Sequence, residues 1–526
     1  MIVSSGKGPR EELARERVGP SECRFLAETH LAKHFTPVMQ DRVEIRGFRL
    51  TRVQFGVSHV SRLCDTVNLP GTKSTMLTRR TLLTLPVTAA IMATRRASAQ
   101  ERAARATRGM ASPKIKDVSV IATAPEGLRL VVVKITTDQD GLYGYGCGTF
   151  TQRADLVVMA VERYLKPFLI GKSADRIEDI WNACYNSSYW RNGPVLNNAI
   201  SGIDEALWDI KGRQANMPVY QLLGGKVREG VDCYTHASGG EIAQTLDNAR
   251  RFIDQGFRYV RLQVGVPGME GYGSGRGGGA AVARPAGTLH GGAVFEPSSY
   301  VRRAVKLFEE ARKQLGDEIE LLHDVHERVH PIQAVQLAKD MEKFRLFFLE
   351  DLLSPEDIEY FRMIRQQCST QLSMGELFNS PHEWRPLIEG RLIDFIRIHA
   401  SQAGGLSPCR KIIAFAEQYG VRSAWHGPGD VSPIGHAAQI ALDITAMNFG
   451  IQEYSAFGER TREVFSGLPE MRQGYWYPTE APGWGIEVDE KAAAKYPFGS
   501  FEQGMRKDLN GGWGEIRRRD GTIIKQ

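Results

Sequence analysis

Between residue 114 and about residue 225, the pattern of apolar and polar positions changes from strand-like to helical. Segments 116–121 and 128–135 read as strands, and the runs PEG and DQDG that follow them are typical of turns. Apolar positions then recur with helical spacing over residues 154–165, 175–185 and 198–214. This order predicts an α+β domain over residues 113–228.

Beyond residue 229, short apolar runs alternate with amphipathic stretches. About eight such β/α units occupy some 230 residues, which is typical of a parallel barrel. After the first unit, the apolar runs lie at residues 256–264, 318–324, 345–352, 371–377, 392–399, 421–425 and 449–454. The chain is therefore predicted to be an α/β protein, a modified (β/α) TIM-type barrel over residues 229–460 with an N-terminal α+β capping domain. Residues 461–526 are rich in Gly, Pro and aromatic side chains, and we expect them to pack back on the capping domain.

The first hundred residues follow neither pattern. Residues 76–99 contain the arginines Arg79 and Arg80, an apolar stretch of about a dozen residues and the small residues Ala97-Ser98-Ala99. These three parts are typical of a secretory signal peptide of the twin-arginine type, and a short amphipathic helix is the alternative. The signal predicts export to the periplasm, or a cytoplasmic location if it is not used. Residues 1–75 show no sustained period and are expected to be a spurious or disordered extension.

Charge and composition limit the classes of partner and the kinds of scaffold that are expected for this chain. The chain of 526 residues has 67 Lys and Arg against 61 Asp and Glu, but residues 1–110 hold 19 of the basic and only 9 of the acidic residues. The remainder is slightly acidic, so we expect no nucleic-acid partner. No apolar run approaches the roughly 18 residues that span a bilayer, so no stable membrane anchor is expected. Seven cysteines without a CxxC pattern exclude a disulfide scaffold and a zinc ribbon.

Three carboxylates follow successive strand patterns. Asp324, Glu350 and Glu376 are spaced 26 residues apart, about one β/α unit each. The C-terminal ends of neighbouring barrel strands form one face, so the three acids are expected to lie close together. Like charges at that distance require a cation, and oxygen ligands without Cys or His favour Mg²⁺ over zinc. Capping of the following helices is the alternative role for such acids.

Other ionisable residues mark the same strand ends. Asp324 and His326 are two residues apart, which on a strand places both on one side, and a histidine beside a metal-bound oxyanion suits a general acid. Strand two carries Arg261 and Gln263 at the same spacing. Further polar residues at later strand ends are Arg397, His399, His426, Asp430 and Glu453.

The motifs around these residues resemble the enolase superfamily, and within it the mannonate dehydratase subgroup. The resemblance covers about residues 114–526. The segments that carry it are THASGG at 235–240, RLQVGVPG at 261–268, HDVHER at 323–328, FFLEDLLSPED at 347–357, GELF at 375–378, FIRIHASQAGG at 395–405, WHGPGD at 425–430 and IQEYS at 451–455.

The resemblance implies a hydro-lyase that dehydrates a sugar acid to a 2-keto-3-deoxy acid through an enediolate, with D-mannonate as the first substrate to test and D-gluconate as the second. One Mg²⁺ per active site would bind Asp324, Glu350 and Glu376. Tyr272 with Arg261 would form the base, and His326 would protonate the departing hydroxyl. Substrate-binding positions are Thr151, Trp190, His236, Glu376, Arg397, His426, Asp430 and Glu453. The resemblance also implies a homo-oligomer.

Two features depart from the subgroup. Thr151 stands where the subgroup usually has Asn, and a single hydroxyl would contact the distal substrate hydroxyls differently from an amide. The segment after Tyr272 is rich in glycine and is interpreted as a mobile lid. Two alternatives stay open: a racemase or epimerase with His426 as a second base, and an exported sugar-acid binding protein with little turnover.

Overall fold

The computed structural model describes residues 111–266, 293–498 and 516–525. The predictions for residues 1–75 and 76–99, and the one for Tyr272, fall outside these ranges. Within them, no helix is both long enough and apolar enough to cross a membrane.

The N-terminal part is an antiparallel three-stranded sheet covered by helices. The sheet order is β1-β2-β3, and the long fourth helix packs against β3 and β2. The strands are β1 Ile115–Thr123, β2 Leu130–Thr137 and β3 Tyr143–Cys147. The helices are α1 Ala154–Ala160, continued by a π-helical turn Val161–Leu165, then α2 Lys166–Leu169, α3 Ile177–Asn186, α4 Pro194–Ala215 and α5 Val219–Leu222.

The central part is a closed parallel barrel. Its strands follow one another around the ring, and the last strand pairs with the first through Gln452 opposite Cys233. The barrel strands are β4 Val231–Gly239, β5 Tyr259–Val264, β7 Glu320–Asp324, β8 Phe348–Glu350, β9 Leu372–Met374, β10 Phe395–Ile396, β11 Arg422–Ser423 and β12 Gln452–Glu453. The intervening helices are α6 Ile242–Asp254, α7 Pro297–Leu315, α8 Pro331–Glu342, α9 Tyr360–Gln367, α10 Pro381–Glu389, α11 Leu406–Glu417 and α12 Pro433–Thr445.

Several of these strands are shorter than their apolar runs. The run 392–399, for example, contains only the two-residue strand β10. The runs are longer because the residues just before and after each ladder are also buried in the barrel. A separate cluster of buried side chains fills the interior and consists of Tyr234, Leu322, Phe347, Phe348, Phe395, Ala424 and Ile451.

The C-terminal part contacts both domains. Trp484 donates its indole N–H to the carbonyl of Tyr145 in the capping sheet at 3.0 Å, and Thr123 donates its hydroxyl to the carbonyl of Ala493 at 3.0 Å. The elements are α13 Glu459–Val464, β13 Phe465–Ser466, β14 Glu470–Arg472, β15 Tyr475–Tyr477, β16 Glu487–Val488, α14 Glu490–Ala493 and β17 Ile516–Arg517.

Residues 516–525 depart from the expected placement on the capping domain. Strand β17 pairs in parallel with β6, Ala293–Val294, which precedes α7 of the barrel. Lys525 donates a hydrogen bond to Ser354 and lies 3.1 Å from Glu356 on the loop after β8. The backbone of β6 and these polar groups provide partners on the barrel for this segment.

Helix α4 connects the three parts through buried carboxyl groups. Asp204 accepts hydrogen bonds from the backbone N–H and the hydroxyl of Ser407, the second residue of barrel helix α11, at 2.8 and 2.5 Å. Asp209 accepts from the backbone N–H groups of Tyr145 in β3 and Trp484 in the C-terminal part, at 2.9 and 2.8 Å. Because buried N–H groups need acceptors, these acids fix the capping domain against its neighbours.

Candidate active site

The three acids predicted to bind a metal lie at the C-terminal ends of adjacent barrel strands. Asp324 is the last residue of β7 and lies opposite Glu350, the last residue of β8, in the ladder. Glu376 follows β9 by two residues. The first two side chains are fully buried and the third is 15% exposed. The strand spacing therefore brings the acids to one end of the barrel, as predicted.

Glu376 lies in a turn, because the chain leaves β9 at Gly375. This glycine has φ +144°, a conformation that side chains rarely adopt. A Cβ there would also come within 3.1 Å of the carbonyl carbon of Arg397. The close approach of the two backbones places Glu376 beside the side chain of Arg397, which donates a hydrogen bond to it.

Two buried arginines hold the acids. Nη1 of Arg261 donates to Oε1 of Glu350 and lies 3.3 Å from Oδ2 of Asp324. Arg397, fully buried, donates from Nη2 to Oε2 of Glu453 at 2.6 Å. Since guanidinium groups bind carboxylates at fixed angles, they orient the acids toward one another.

Carboxyl groups outnumber guanidinium groups around this pair of arginines. Burial, together with the neighbouring Asp324 and Glu453, raises the pKa of Glu350 to about 8, although Arg397 and Arg261 oppose the shift. The carboxyl groups in contact with the two arginines are those of Asp324, Glu350, Asp351, Glu376 and Glu453. A hard divalent cation with oxygen ligands would stabilise the ionised acids, so the donor set fits such an ion.

His326 reaches the acids by a route different from the one predicted. Strand β7 ends at Asp324, and His326 lies in a turn with φ 53°, so the argument from strand alternation was wrong for this pair. The turn folds the residue back onto Asp324: its backbone N–H donates to Oδ1 at 2.9 Å, and Nε2 of its ring lies 3.1 Å from Oδ2. Nε2 is also 3.8 Å from Oε1 of Glu376, so the ring faces two of the three acids.

Arg328 determines which nitrogen of His326 carries the proton. Its Nη2 lies 3.2 Å from Nδ1 of His326. Because a guanidinium group only donates hydrogen bonds, Nδ1 accepts and the proton of the neutral ring is on Nε2, on the side of the acids. The positive charge of Arg328 also makes that Nε2–H a better proton donor.

His236 and Glu453 form the other side of the site. Nε2 of His236, on β4, lies 2.8 Å from Oε1 of Glu453, the last residue of β12. Nδ1 of the same ring lies 3.3 Å from Nη2 of Arg261, so it acts as the acceptor. The arrangement joins the first, second and last strands of the barrel.

His426 and Asp430 lie beside Glu376. Nε2 of His426 is 3.3 Å from Oε2 of Glu376, and its Nδ1 is 2.7 Å from Nδ1 of His399. Burial lowers the pKa of His426 to about 4, and burial with the neighbouring acids Glu376 and Glu453 raises that of Asp430 to about 7. Oδ1 of Asp430 is buried and has no hydrogen-bond partner among the described residues, so it can accept one from a ligand.

Thr151 and Trp190 are the predicted site residues that the described contacts do not connect to the acids. Thr151 begins a 3₁₀ turn after β3 and is half-buried. Trp190 is 80% exposed, and its ring packs edge-on against Tyr189. Substrate contact by these two residues stays a prediction.

Sequence reasoning missed Tyr234, Asp351 and Arg328. Tyr234 accepts a hydrogen bond from Nε of Arg397 at 3.1 Å, and it is two residues before His236 on β4, so strand alternation could have identified it. Asp351 directly follows Glu350, and alternation would place it outside the barrel. It turns inward because the strand ends at Glu350 and Asp351 has φ 44°.

Comparison with known proteins agrees with this architecture. The family model "Mandelate racemase / muconate lactonizing enzyme, N-terminal domain" matches residues 103–224, and "Enolase C-terminal domain-like" matches residues 244–492. A protein of Enterococcus gallinarum (strain EG2), described as a D-galactonate dehydratase family member, is 52% identical over 384 residues, which are 73% of this chain and 93% of that protein. The chain belongs to this family, within the enolase superfamily.

Other members of the family are similarly close. A relative from Musicola paradisiaca (strain Ech703) is 50% identical over 396 residues, 74% of this chain and 95% of its own. The crystal structure of an enolase from Pantoea ananatis, with bound D-gluconate and magnesium, has 48% identity and a TM-score of 0.74, and it matches 79% of this chain and 100% of its own. The predicted superfamily and the predicted capped barrel are therefore confirmed.

Proposed function

We propose that the chain is a Mg²⁺-dependent hydro-lyase that removes water across carbons 2 and 3 of a sugar acid and yields a 2-keto-3-deoxy acid. The observation that carries the proposal is the convergence of Asp324, Glu350 and Glu376 at one end of the barrel, with the Nε2–H of His326 facing two of them. The family name of the relatives, and the D-gluconate and magnesium bound to the Pantoea enolase, support the same reaction.

The three acids would hold the Mg²⁺. Their oxygens are hard ligands, and the neighbouring carboxyl groups of Asp351 and Glu453 add negative charge that favours a divalent cation. When bound, the ion supplies a Lewis acid that stabilises negative charge on the carboxylate end of the substrate.

The protein's own groups move the two protons. By resemblance, Tyr272 as phenolate accepts the proton from carbon 2, and the charge of Arg261 favours the anionic form of the base. His326 donates its Nε2 proton to the hydroxyl on carbon 3, and that hydroxyl leaves as water when the carbon–oxygen bond breaks. The resulting enol takes up a proton at carbon 3 and becomes the ketone.

Around the acids, a ring of polar side chains offers contacts for the remaining hydroxyls. The carboxylate oxygen Oδ1 of Asp430 can accept from a hydroxyl, and the rings of His236 and His426, which lie beside Glu453 and Glu376, add nitrogen atoms for further hydrogen bonds. Such a mixture of donors and acceptors suits a polyhydroxylated acid better than an apolar one.

D-mannonate is the first proposed substrate and D-gluconate is the second, which is the order that the family resemblance of the sequence implies. The two acids differ only in configuration at carbon 2, which becomes a ketone, so both give the same product. The D-gluconate in the Pantoea enolase supports testing both epimers side by side.

A screen of hexonic and pentonic acids with Mg²⁺, scored for 2-keto-3-deoxy acid, tests the proposal. We expect product from at least one of the two epimers, loss of product on chelation, and recovery when Mg²⁺ is added back. If a folded, Mg²⁺-binding protein gives no product from any acid, the dehydratase proposal is wrong, and the epimerase and the sugar-acid binding protein are the alternatives to test next.

We also propose that residues 76–99 direct the enzyme to the periplasm. The twin arginines, the short apolar stretch and the Ala-Ser-Ala site support this. Fractionation of cells that express the full chain tests it: the enzyme should appear in the periplasm, and replacement of Arg79 and Arg80 by Lys should retain it in the cytoplasm.

A further inference from the structure

Two buried histidines meet behind the candidate site. His399 follows β10 and is 1% exposed, while His426 follows β11. Their Nδ1 atoms are 2.7 Å apart, a hydrogen-bond distance, and the rings are inclined at 38°. The backbone holds the second histidine in place, since its N–H donates to the carbonyl of Ile398 at 3.2 Å and its carbonyl accepts from Gln439 at 2.7 Å.

Only one hydrogen fits between the two Nδ1 atoms, so one ring donates and the other accepts. If His399 donates, the neutral His426 carries its own proton on Nε2. If His426 donates, its Nε2 is bare and the proton of His399 lies on Nε2. The two arrangements give His426 opposite roles, because the first presents a donor to the site and the second presents a proton acceptor.

The surroundings of the two Nε2 atoms select the first arrangement. Nε2 of His426 lies 3.3 Å from the carboxylate oxygen Oε2 of Glu376, whose negative charge attracts a proton on Nε2 and repels a bare lone pair. Nε2 of His399 is buried and has no hydrogen-bond partner among the described residues. A proton there would be a buried N–H without an acceptor, which is rare in folded proteins.

We propose that His399 is a positioning residue that donates its Nδ1–H to His426 and thereby holds His426 with the proton on Nε2. His426 then donates a hydrogen bond to an oxygen of the sugar acid and does not accept a proton from carbon. This inference rests on the proposed function for the identity of the ligand, but the assignment of the protons rests only on the two rings and Glu376.

This assignment of protons means that His426 does not supply a second base at carbon 2. A racemase or epimerase needs a base on each face of carbon 2, and His426 was the strongest candidate for the second base. With its proton on Nε2, the neutral ring has no lone pair toward the substrate. The His399–His426 contact thus favours elimination, for which a single carbon base is sufficient.

Solid-state nitrogen-15 NMR of the full-length, Mg²⁺-loaded protein labelled at histidine tests the proposal. The signals of His426 are assigned by their loss in His426→Gln. We expect a protonated Nε2 and an unprotonated Nδ1 for His426 without substrate. A protonated Nδ1 with a bare Nε2 would overturn the proposal, whatever the enzyme turns over.

Two substitutions of similar size separate positioning from packing. His399→Asn retains an N–H donor toward His426, whereas His399→Asp offers an acceptor and should reverse the tautomer. We expect kcat/KM for dehydration to fall by about 10- to 100-fold in the Asp variant, by analogy with the loss of hydrogen-bond partners behind metal-binding histidines, and to recover most of that loss in the Asn variant.

The possible results of these experiments distinguish the role of His399 from a packing role and from a failure of the proposed function. Equal losses in the Asn and Asp variants, with unchanged melting temperatures, would assign His399 a packing role and overturn the proposal. If the Asp variant does not fold, the wild-type NMR result decides. If no sugar acid reacts but the spectrum shows the expected tautomer, the proposed function fails and the role of His399 stands.

Discussion

Nη2 of Arg328 lies 3.2 Å from Nδ1 of His326, so the cation is placed behind the ring that faces Asp324 and Glu376. This contact fixes the proton of the neutral ring on Nε2 and increases its acidity. The role assigned to His326 as the general acid depends on that arrangement.

His326→Asn should separate the two proton transfers. Loss of the general acid is expected to lower kcat for dehydration by about 10²- to 10⁴-fold, since positioned acids contribute that much. Exchange of the carbon 2 proton with deuterium oxide should continue, because it depends on the other base. Dehydration at a rate near that of the wild type would contradict the assignment of His326.

Replacement of Arg328 should act through His326. In Arg328→Met the donor to Nδ1 is lost, and we expect kcat to fall by about 10- to 100-fold while KM changes little, by analogy with the loss of partners behind metal-binding histidines. Arg328→Lys keeps the charge and serves as the matched control, so it should retain more activity. A change confined to KM would show that Arg328 acts on substrate binding instead.

The C-terminal tail should support catalysis from a distance. Its strand β17 pairs with β6, and the backbone N–H of Phe295 donates to the carbonyl of Arg517 at 2.8 Å. In sequence, β6 begins 21 residues after Tyr272. Deletion of residues 516–526 removes the pairing partner of β6, so we expect lower kcat and slower exchange of the carbon 2 proton.

A point variant controls for the tail deletion. Lys525→Met removes the contacts with Ser354 and Glu356 and leaves β17 paired, so it should lose less activity than the deletion. The deletion variant and Lys525→Met are compared by their steady-state rates and their melting temperatures. Full activity in the deletion variant would show that the β6–β17 pairing has no role in catalysis.

Asp204 should make the stability of the fold depend on pH. Burial raises its pKa to about 7 from 3.8, so the folded chain keeps a proton that the unfolded chain releases. Between pH of about 4 and about 7, the folded state therefore binds more protons than the unfolded state, and this group's contribution to the free energy of unfolding decreases as the pH rises. Asp204→Asn should remove up to about 1.4 kcal/mol per pH unit of that slope.

Urea denaturation across this pH window checks the prediction. The amide oxygen introduced by Asp204→Asn can still accept from the backbone N–H of Ser407, so the fold should survive the change. The exposed Asp140→Asn is the matched control and should leave the slope unchanged. An identical slope in the wild type and in Asp204→Asn would show that Asp204 does not hold its proton in the folded state.

The even spacing of Asp324, Glu350 and Glu376 allowed the fold and the acid cluster to be predicted together. Parallel strands end at one edge of a barrel, so residues one β/α unit apart in sequence become neighbours. The spacing of Arg261 and Gln263 on β5 likewise indicated one common side, and both side chains reach Asp324. These features follow from the periodicity of the chain.

The turns beyond the strands could not be predicted in the same way. His326 and Asp351 reach the site through backbone conformations with positive φ, which alternation does not encode. The contact between His399 and His426 depends on two ring orientations, and the pairing of β17 with β6 joins segments more than 200 residues apart. Such relationships depend on tertiary packing, which a single sequence does not specify.

The most direct test of the central claim is the position of deuterium after reaction in deuterium oxide. Incubation of the full-length, Mg²⁺-loaded protein with D-mannonate or D-gluconate, followed by proton NMR, should give a 2-keto-3-deoxy acid with one deuterium at carbon 3, because the enol takes its proton from solvent. Deuterium at carbon 2 of the epimer of the supplied acid, without any 2-keto-3-deoxy product, would contradict the account and identify an epimerase.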